Sequence, residues 1–119
     1  MKEIRNLKFV RNLSSWTINQ EIMKAVMIIH NQAQAERIEY ILDRLVIKGY
    51  TKWENVTGRG SSTGEPRLGT HTWPEMNSSV LSVVEDDKVQ DLLDAVRKLN
   101  EVNEEVGIRA FVWEVVDAV

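Results

Sequence analysis

Two arginines set among glycines and hydroxyls are the residues of this 119-residue chain best placed to do chemistry. The run Gly58-Arg59-Gly60-Ser61-Ser62-Thr63-Gly64, with Arg67 close behind, could offer backbone N–H groups, hydroxyls and two bidentate guanidinium groups to a small anion. It is not a P-loop: the Gly-Lys-Ser/Thr ending is missing and no helix follows, so a mobile surface loop is the favoured reading over an anion site. Trp73, between Thr72 and Pro74, is a large aromatic with no strand or helix to bury it. It marks either a contact with a partner or a side chain folded back on its own subunit.

Other chemistries find less support. His30 and His71 are the only histidines; with Glu65, Glu75, Asp86 or Asp87 they could in principle assemble a metal site, but no recognised ligand spacing supports one, and a strand-end His30 and a loop His71 are more often solvated or hydrogen-bonded. The metal content is therefore left open. With no cysteine, disulfides, thiolate zinc sites and cysteine nucleophiles are excluded. No Ser/His/Asp order, paired carboxylates or lysine in an apolar pocket suggests catalysis, so the expectation is a protein that is not an enzyme.

The elements that must position the arginines flank one long stretch, residues 57–76, which holds both prolines and four of the six glycines. Glycine loses much entropy when ordered and proline supplies no N–H, so this stretch is expected to be a structureless loop. Before it, Lys24–His30 is a β-branched apolar run suited to a central strand. Asn31 follows as an N-cap with Gln34 three residues on, and Ile38, Ile41, Leu42 and Leu45 form one helical stripe to about Lys48. Gly49 is the expected left-handed stop, and Tyr50–Val56 the second strand. After the loop come a strand over 79–84 and a helix opened by Glu85-Asp86-Asp87, striped by Val89, Leu92, Leu93, Val96 and Leu99. A last strand spans 108–116. The order β-α-β-β-α-β predicts an α+β, ferredoxin-like antiparallel sheet with two helices on one face.

Composition places the chain among ordinary single-domain proteins, 43% hydrophobic and 28% charged. The net charge of −3 and the lack of a basic, aromatic-interleaved cluster argue against a nucleic-acid partner. No apolar window is long enough to span a bilayer and the N-terminus has no secretory apolar run, so a cytoplasmic location is expected. Residues 1–22 carry +2 within that −3, and Met23-Lys24 looks like a natural start. The first 22 residues are expected to be a peripheral extension or a non-native start.

Two βαβ units joined by a long loop, with a first strand that opens on Met23-Lys24, resemble the P-II family of nitrogen regulatory proteins. Val56-Thr57-Gly58-Arg59-Gly60 is similar to the family's Val-x-Gly-x-Gly approach to its T-loop. Gly107–Val115, Gly-Ile-Arg-Ala-Phe-Val-Trp-Glu-Val, is similar to the family's last strand. The likeness covers residues 23–119. It implies a compact homotrimer, a non-enzymatic signalling role in nitrogen regulation, and docking of the loop (Gly58, Arg59, Gly60, Ser62, Gly64, Arg67, Trp73) on a regulated transporter or enzyme. A nucleotide or other small anionic effector would gate that docking.

The chain also departs from the family. The glycine-rich, lysine-containing B-loop that holds ATP phosphates corresponds to Asn103-Glu104-Glu105-Val106-Gly107, two carboxylates and no lysine. The T-loop glutamine that contacts magnesium and 2-oxoglutarate falls at Ser62, and the uridylylated tyrosine is missing, so ATP and 2-oxoglutarate sensing are not carried over. The alternative is a CutA-like trimeric protein that binds a metal or small ligand; a small isomerase is a third and weaker reading. Self-association has its own motive, because a sheet face holding several of Val26, Ile28, Val80, Val83 and Val112 is too apolar to leave bare. Residues 59–73 are expected to be mobile in the free protein and to order when an anion or a partner carboxylate engages Arg59 and Arg67. Ordering costs about 1 to 2 kcal/mol per residue, so a partner must also bury Leu68 and Trp73.

Overall fold

The computed structural model describes residues 23–102 and 106–119. The expected extension, residues 1–22, and the acidic stretch at 103–105 lie outside the described residues. The elements are β1 (Met23–Asn31), a 3-10 turn (Gln32–Gln34), α1 (Ala35–Arg44), β2 (Thr51–Val56), β3 (Asn77–Glu85), α2 (Asp86–Val102) and β4 (Arg109–Glu114). They build the expected α+β, ferredoxin-like arrangement, a four-stranded antiparallel sheet in the order β2-β3-β1-β4. β1 is central because it pairs on both sides, from Met23↔Glu85 to Asn31↔Asn77 with β3 and from Lys24↔Glu114 to Ile29↔Arg109 with β4.

Strand alternation then sorts the side chains. Val26, Ile28, Val80 and Val84 face the helices and close the core with Ile38, Leu42, Leu92 and Val96. Register puts Ala25, Met27, Ile29, Leu81, Val83, Phe111 and Trp113 on the opposite face, with Trp53 of β2. The apolar open face is therefore real but differently composed than expected. Of the five valines and isoleucines named for it, only Val83 lies there; the others pack under the helices, Val112 against the core's edge. Phe111 and Trp113 are 53% and 48% exposed.

The first helix begins later and ends earlier than its apolar stripe predicts. Asn31 caps the 3-10 turn by accepting from the Ala33 N–H at 2.9 Å, while Gln34 accepts from Arg37 at 3.1 Å and does not reach back to complete a capping box. At the other end the Ile47 N–H donates to Leu42 O at 2.8 Å, the six-to-one bond of a Schellman stop, and the left-handed residue is Val46 (φ 58°), not Gly49. Burial of Ile47 against the core decides this: seating its side chain forces the reversal at the residue before it, whatever that residue is.

β2 contains an irregularity between Trp53 and Val56, with Asn55 left-handed at φ 58°. An extra residue there explains how two apolar residues three apart reach one face of a strand whose period is two. The stretch 57–76 is the expected long loop, with no helix or strand element, but it carries backbone pairs of its own. Gly58 and Arg67 exchange both backbone hydrogen bonds, at 2.9 and 2.7 Å, and further out Gly69 N–H donates to Glu75 O and Thr70 N–H to Trp73 O. The loop is a hairpin extension of β2 and β3, built from backbone groups that composition alone leaves unassigned. Gly69 is required in it: its φ is 66°, and a Cβ there would stand 2.7 Å from Met76 Sδ.

Candidate functional site

The hairpin's root and the open face of the sheet enclose a cleft of 650 Å³. Its floor is Met27 and Ile29 of β1 with Ser79 of β3, whose hydroxyl donates to Met27 Sδ at 2.9 Å. Trp53 and Phe111 wall it, and Gly58, Gly60 and Gly107 leave backbone exposed along its rim. Arg59, Arg67 and Arg109 all line it, with no carboxylate among its described lining residues.

Each guanidinium is held by a different element. Arg109, at the start of β4, donates from Nη2 to Gly60 O at 3.2 Å and so links the sheet to the hairpin. Arg59 donates from Nε to Gly64 O at 2.6 Å, and Ser61 Oγ accepts from the Gly64 N–H at 2.9 Å, which closes the hairpin's outer turn on itself. Arg67 is the most enclosed: it donates to Asn77 Oδ1 at 3.0 Å and lies 3.9 Å from Glu75. An apolar floor with three cations above it can take a flat, partly apolar group carrying negative charge.

The residues expected to act together separate into two groups. Gly58, Arg59, Gly60 and Arg67 meet at the cleft; Ser62, Gly64 and Trp73 do not line it. Trp73 is half-buried rather than exposed, and its backbone closes the Thr70 turn, with its N–H donating to Thr70 Oγ1 at 3.0 Å. His30 and His71 also part, the first buried under the sheet's helical side and the second exposed in the hairpin. Among the described residues no group of three His, Cys, Asp or Glu could hold a metal. Sequence reasoning missed Arg109, Phe111, Met27 and Ile29. The signal was the period-two run Arg109, Phe111, Trp113, which puts a cation and two aromatics on one face.

The segment before β4 is anchored from α2, where Asn100 donates to Ile108 O at 2.9 Å and accepts from Ile108 N–H at 2.8 Å. That two-pronged clamp fixes where Arg109 enters the cleft. Glu104 and Glu105, the carboxylates at the position of the family's B-loop, are outside the described residues. Among the described residues no helix is long and apolar enough to cross a membrane.

Sheet, helices and cleft define a ferredoxin-like domain with an arginine-lined recess at the root of its β2–β3 hairpin. The profile described as "Nitrogen regulatory protein P-II" matches residues 23–119, and the chain belongs to that family. Its members are regulatory, signal-transducing proteins. Among solved structures the chain is similar to CPII from Thiomonas intermedia K12, a nitrogen regulatory PII-like protein. With CPII bound to ADP and bicarbonate it shares 26% identity over 78% of this chain and 85% of that one, at a TM-score of 0.65. With CPII bound to ADP, AMP and acetate the values are 26%, 76%, 82% and 0.62. Arabidopsis thaliana PII bound to citrate, 18% identical over 80% of this chain and 78% of that one with a TM-score of 0.57, shares the fold. No curated protein sequence is significantly similar. Neither the comparisons nor the described residues support the CutA-like alternative.

Proposed function

We propose that this protein is a P-II-like signalling protein whose cleft takes a small anionic effector, an adenine nucleotide with or without a small carboxylate-like anion, and reports its occupancy through the β2–β3 hairpin. The convergence of Arg59, Arg67 and Arg109 on an apolar floor carries this reading. The ligands of CPII, ADP and AMP with bicarbonate or acetate, are of the same chemistry: a flat base, phosphates and a small anion. Arg109 supplies the readout. Its bond to Gly60 O is one a phosphate or carboxylate can replace, since a charged acceptor outcompetes a neutral carbonyl. An anion seated on Arg109 thus releases the hairpin from β4, and the hairpin then docks on a regulated protein, a transporter or an enzyme, without catalysing a reaction itself.

The same reading makes the functional unit a cytoplasmic homotrimer. Trp53, Val83, Phe111 and Trp113 expose more apolar surface on one face than a free monomer normally leaves bare, so a second copy is the natural cover. Calorimetry against ADP, AMP, ATP, 2-oxoglutarate and bicarbonate tests the effector, and equilibrium sedimentation tests the assembly. Heat of binding for adenine nucleotides and a trimer mass are expected. No binding by any of the five at millimolar concentration, or a monomer at micromolar protein, overturns the corresponding half.

A further inference from the structure

His30 is 1% exposed and sits near the end of β1, on the helical side of the sheet, the face away from the cleft. Its Nδ1 lies 2.7 Å from Asn31 O. A carbonyl can only accept, so the proton is on Nδ1, and in the neutral ring Nε2 is a bare lone pair. That Nε2 is buried and finds no hydrogen-bond partner among the described residues. A buried acceptor without a donor is uncommon, and nothing in the effector cleft uses this one.

The carbonyl that His30 holds belongs to a two-residue clamp on the hairpin. Asn31 Nδ2 donates to Glu75 Oε1 at 2.8 Å, and the Gln32 N–H donates to Met76 O at 3.0 Å, so both grip the leg that returns to β3. Gln32 Nε2 donates to Asn55 Oδ1 at 2.6 Å, on the irregular turn of β2 from which the other leg departs. Both legs are tied to Asn31-Gln32, and His30 fixes the backbone of that pair.

We propose that His30 is a proton-operated latch of the hairpin root: the neutral ring keeps the Asn31-Gln32 clamp closed, and protonation at Nε2 opens it and loosens both legs. A second ring proton would point into a site that offers no acceptor, so the imidazolium must turn or move outward to find one. The charged groups facing His30 are Lys52 of β2, Glu39 of α1 and Arg67 of the hairpin. Glu39 is engaged by Lys52 at 2.7 Å, so the one carboxylate facing the ring is already committed to a cation and is not free to receive the imidazolium. Burial is the main cause that holds the His30 pKa below its ordinary 6.5; Lys52 and Arg67 lower it further, while the Asn31 hydrogen bond and Glu39 act against them. The unfolded chain then takes up its proton first. The contribution of the neutral ring is complete above pH 6.5 and is lost as pH falls from there through the lower folded value.

The test is amide exchange by NMR on the full chain from about pH 7.5 down to the pH at which His30 has titrated, corrected for intrinsic rates, with the His30 Cε1–H shift followed in the same samples. Protection of the Gln32 N–H, which reports the bond to Met76 O, should fall at least about threefold as His30 titrates. His30→Gln keeps a donor for the Asn31 carbonyl but cannot titrate, and should flatten that profile; His71→Gln should leave it unchanged. Constant Gln32 protection through the His30 titration overturns the latch, and so does an equal fall in His30→Gln. Should that variant not fold, the wild-type coincidence of the two curves decides, because a fall while His30 is still neutral is equally fatal. These readouts need no effector, so the latch can fail while the cleft still binds its nucleotide, and the reverse.

Discussion

The two faces of the one sheet have the same strands and nearly the same apolar content, yet they do different work. Under the helices, Val26, Ile28, Val80 and Leu92 are at most 1% exposed and interlock, with His30, Ser78 and Ser82 the buried polar side chains among them. On the open face Met27 and Ile29 alternate with those residues, but they floor a cleft rimmed by arginines and walled by half-exposed aromatics. Alternation by two makes this division possible: a strand delivers one set of side chains to the core and the other to the candidate cleft, and the second set can change without disturbing the first.

That independence can be broken experimentally. Leu92→Ala on the helical side should remove about 2 to 5 kcal/mol from the unfolding free energy in a urea titration, by lost burial and a residual cavity. A loss under about 1 kcal/mol would mean that this face is not the core. On the other side, Phe111→Asp is expected to shift the sedimenting species toward monomer, because it places a charge in the face that a second copy would cover. An unchanged mass would separate that face from any assembly interface.

Arg109→Ala sharpens the comparison within the open face. It should weaken ADP binding by about 1.5 to 3 kcal/mol in calorimetry, the range for a hydrogen bond to a charged group, and leave the urea midpoint nearly unmoved because the side chain is at the surface. A destabilised variant with intact affinity would instead make Arg109 a structural brace for Gly60. The smallest effect belongs to neither face. Val46→Gly should stabilise the fold by up to about 1 kcal/mol, since a β-branched residue at φ 58° carries strain that glycine lacks. A destabilised Val46→Gly would show that the side chain's packing outweighs its backbone cost.

What the sequence by itself determined was the order and type of the elements, because apolar residues at period two or at 3, 1, 3 leave few ways to be buried. Through the Val56–Gly60 run and the last strand it also determined the family. Of the residues that line the candidate cleft, Gly58, Arg59, Gly60 and Arg67 were legible, since they stand together in one stretch of sequence. The rest is non-local. Arg109 reaches the same cleft only because β4 pairs with β1, and which strands neighbour one another is a property of the sheet, not of any window of residues. The helix stop at Val46 and the backbone pair across the loop escaped for a related reason: burial of Ile47 against the core and the Gly58–Arg67 pairing outweigh local preference, and neither is visible until the chain has folded. Tertiary structure alone likewise decided that His30 is buried beside the one backbone pair that ties down both legs of the hairpin.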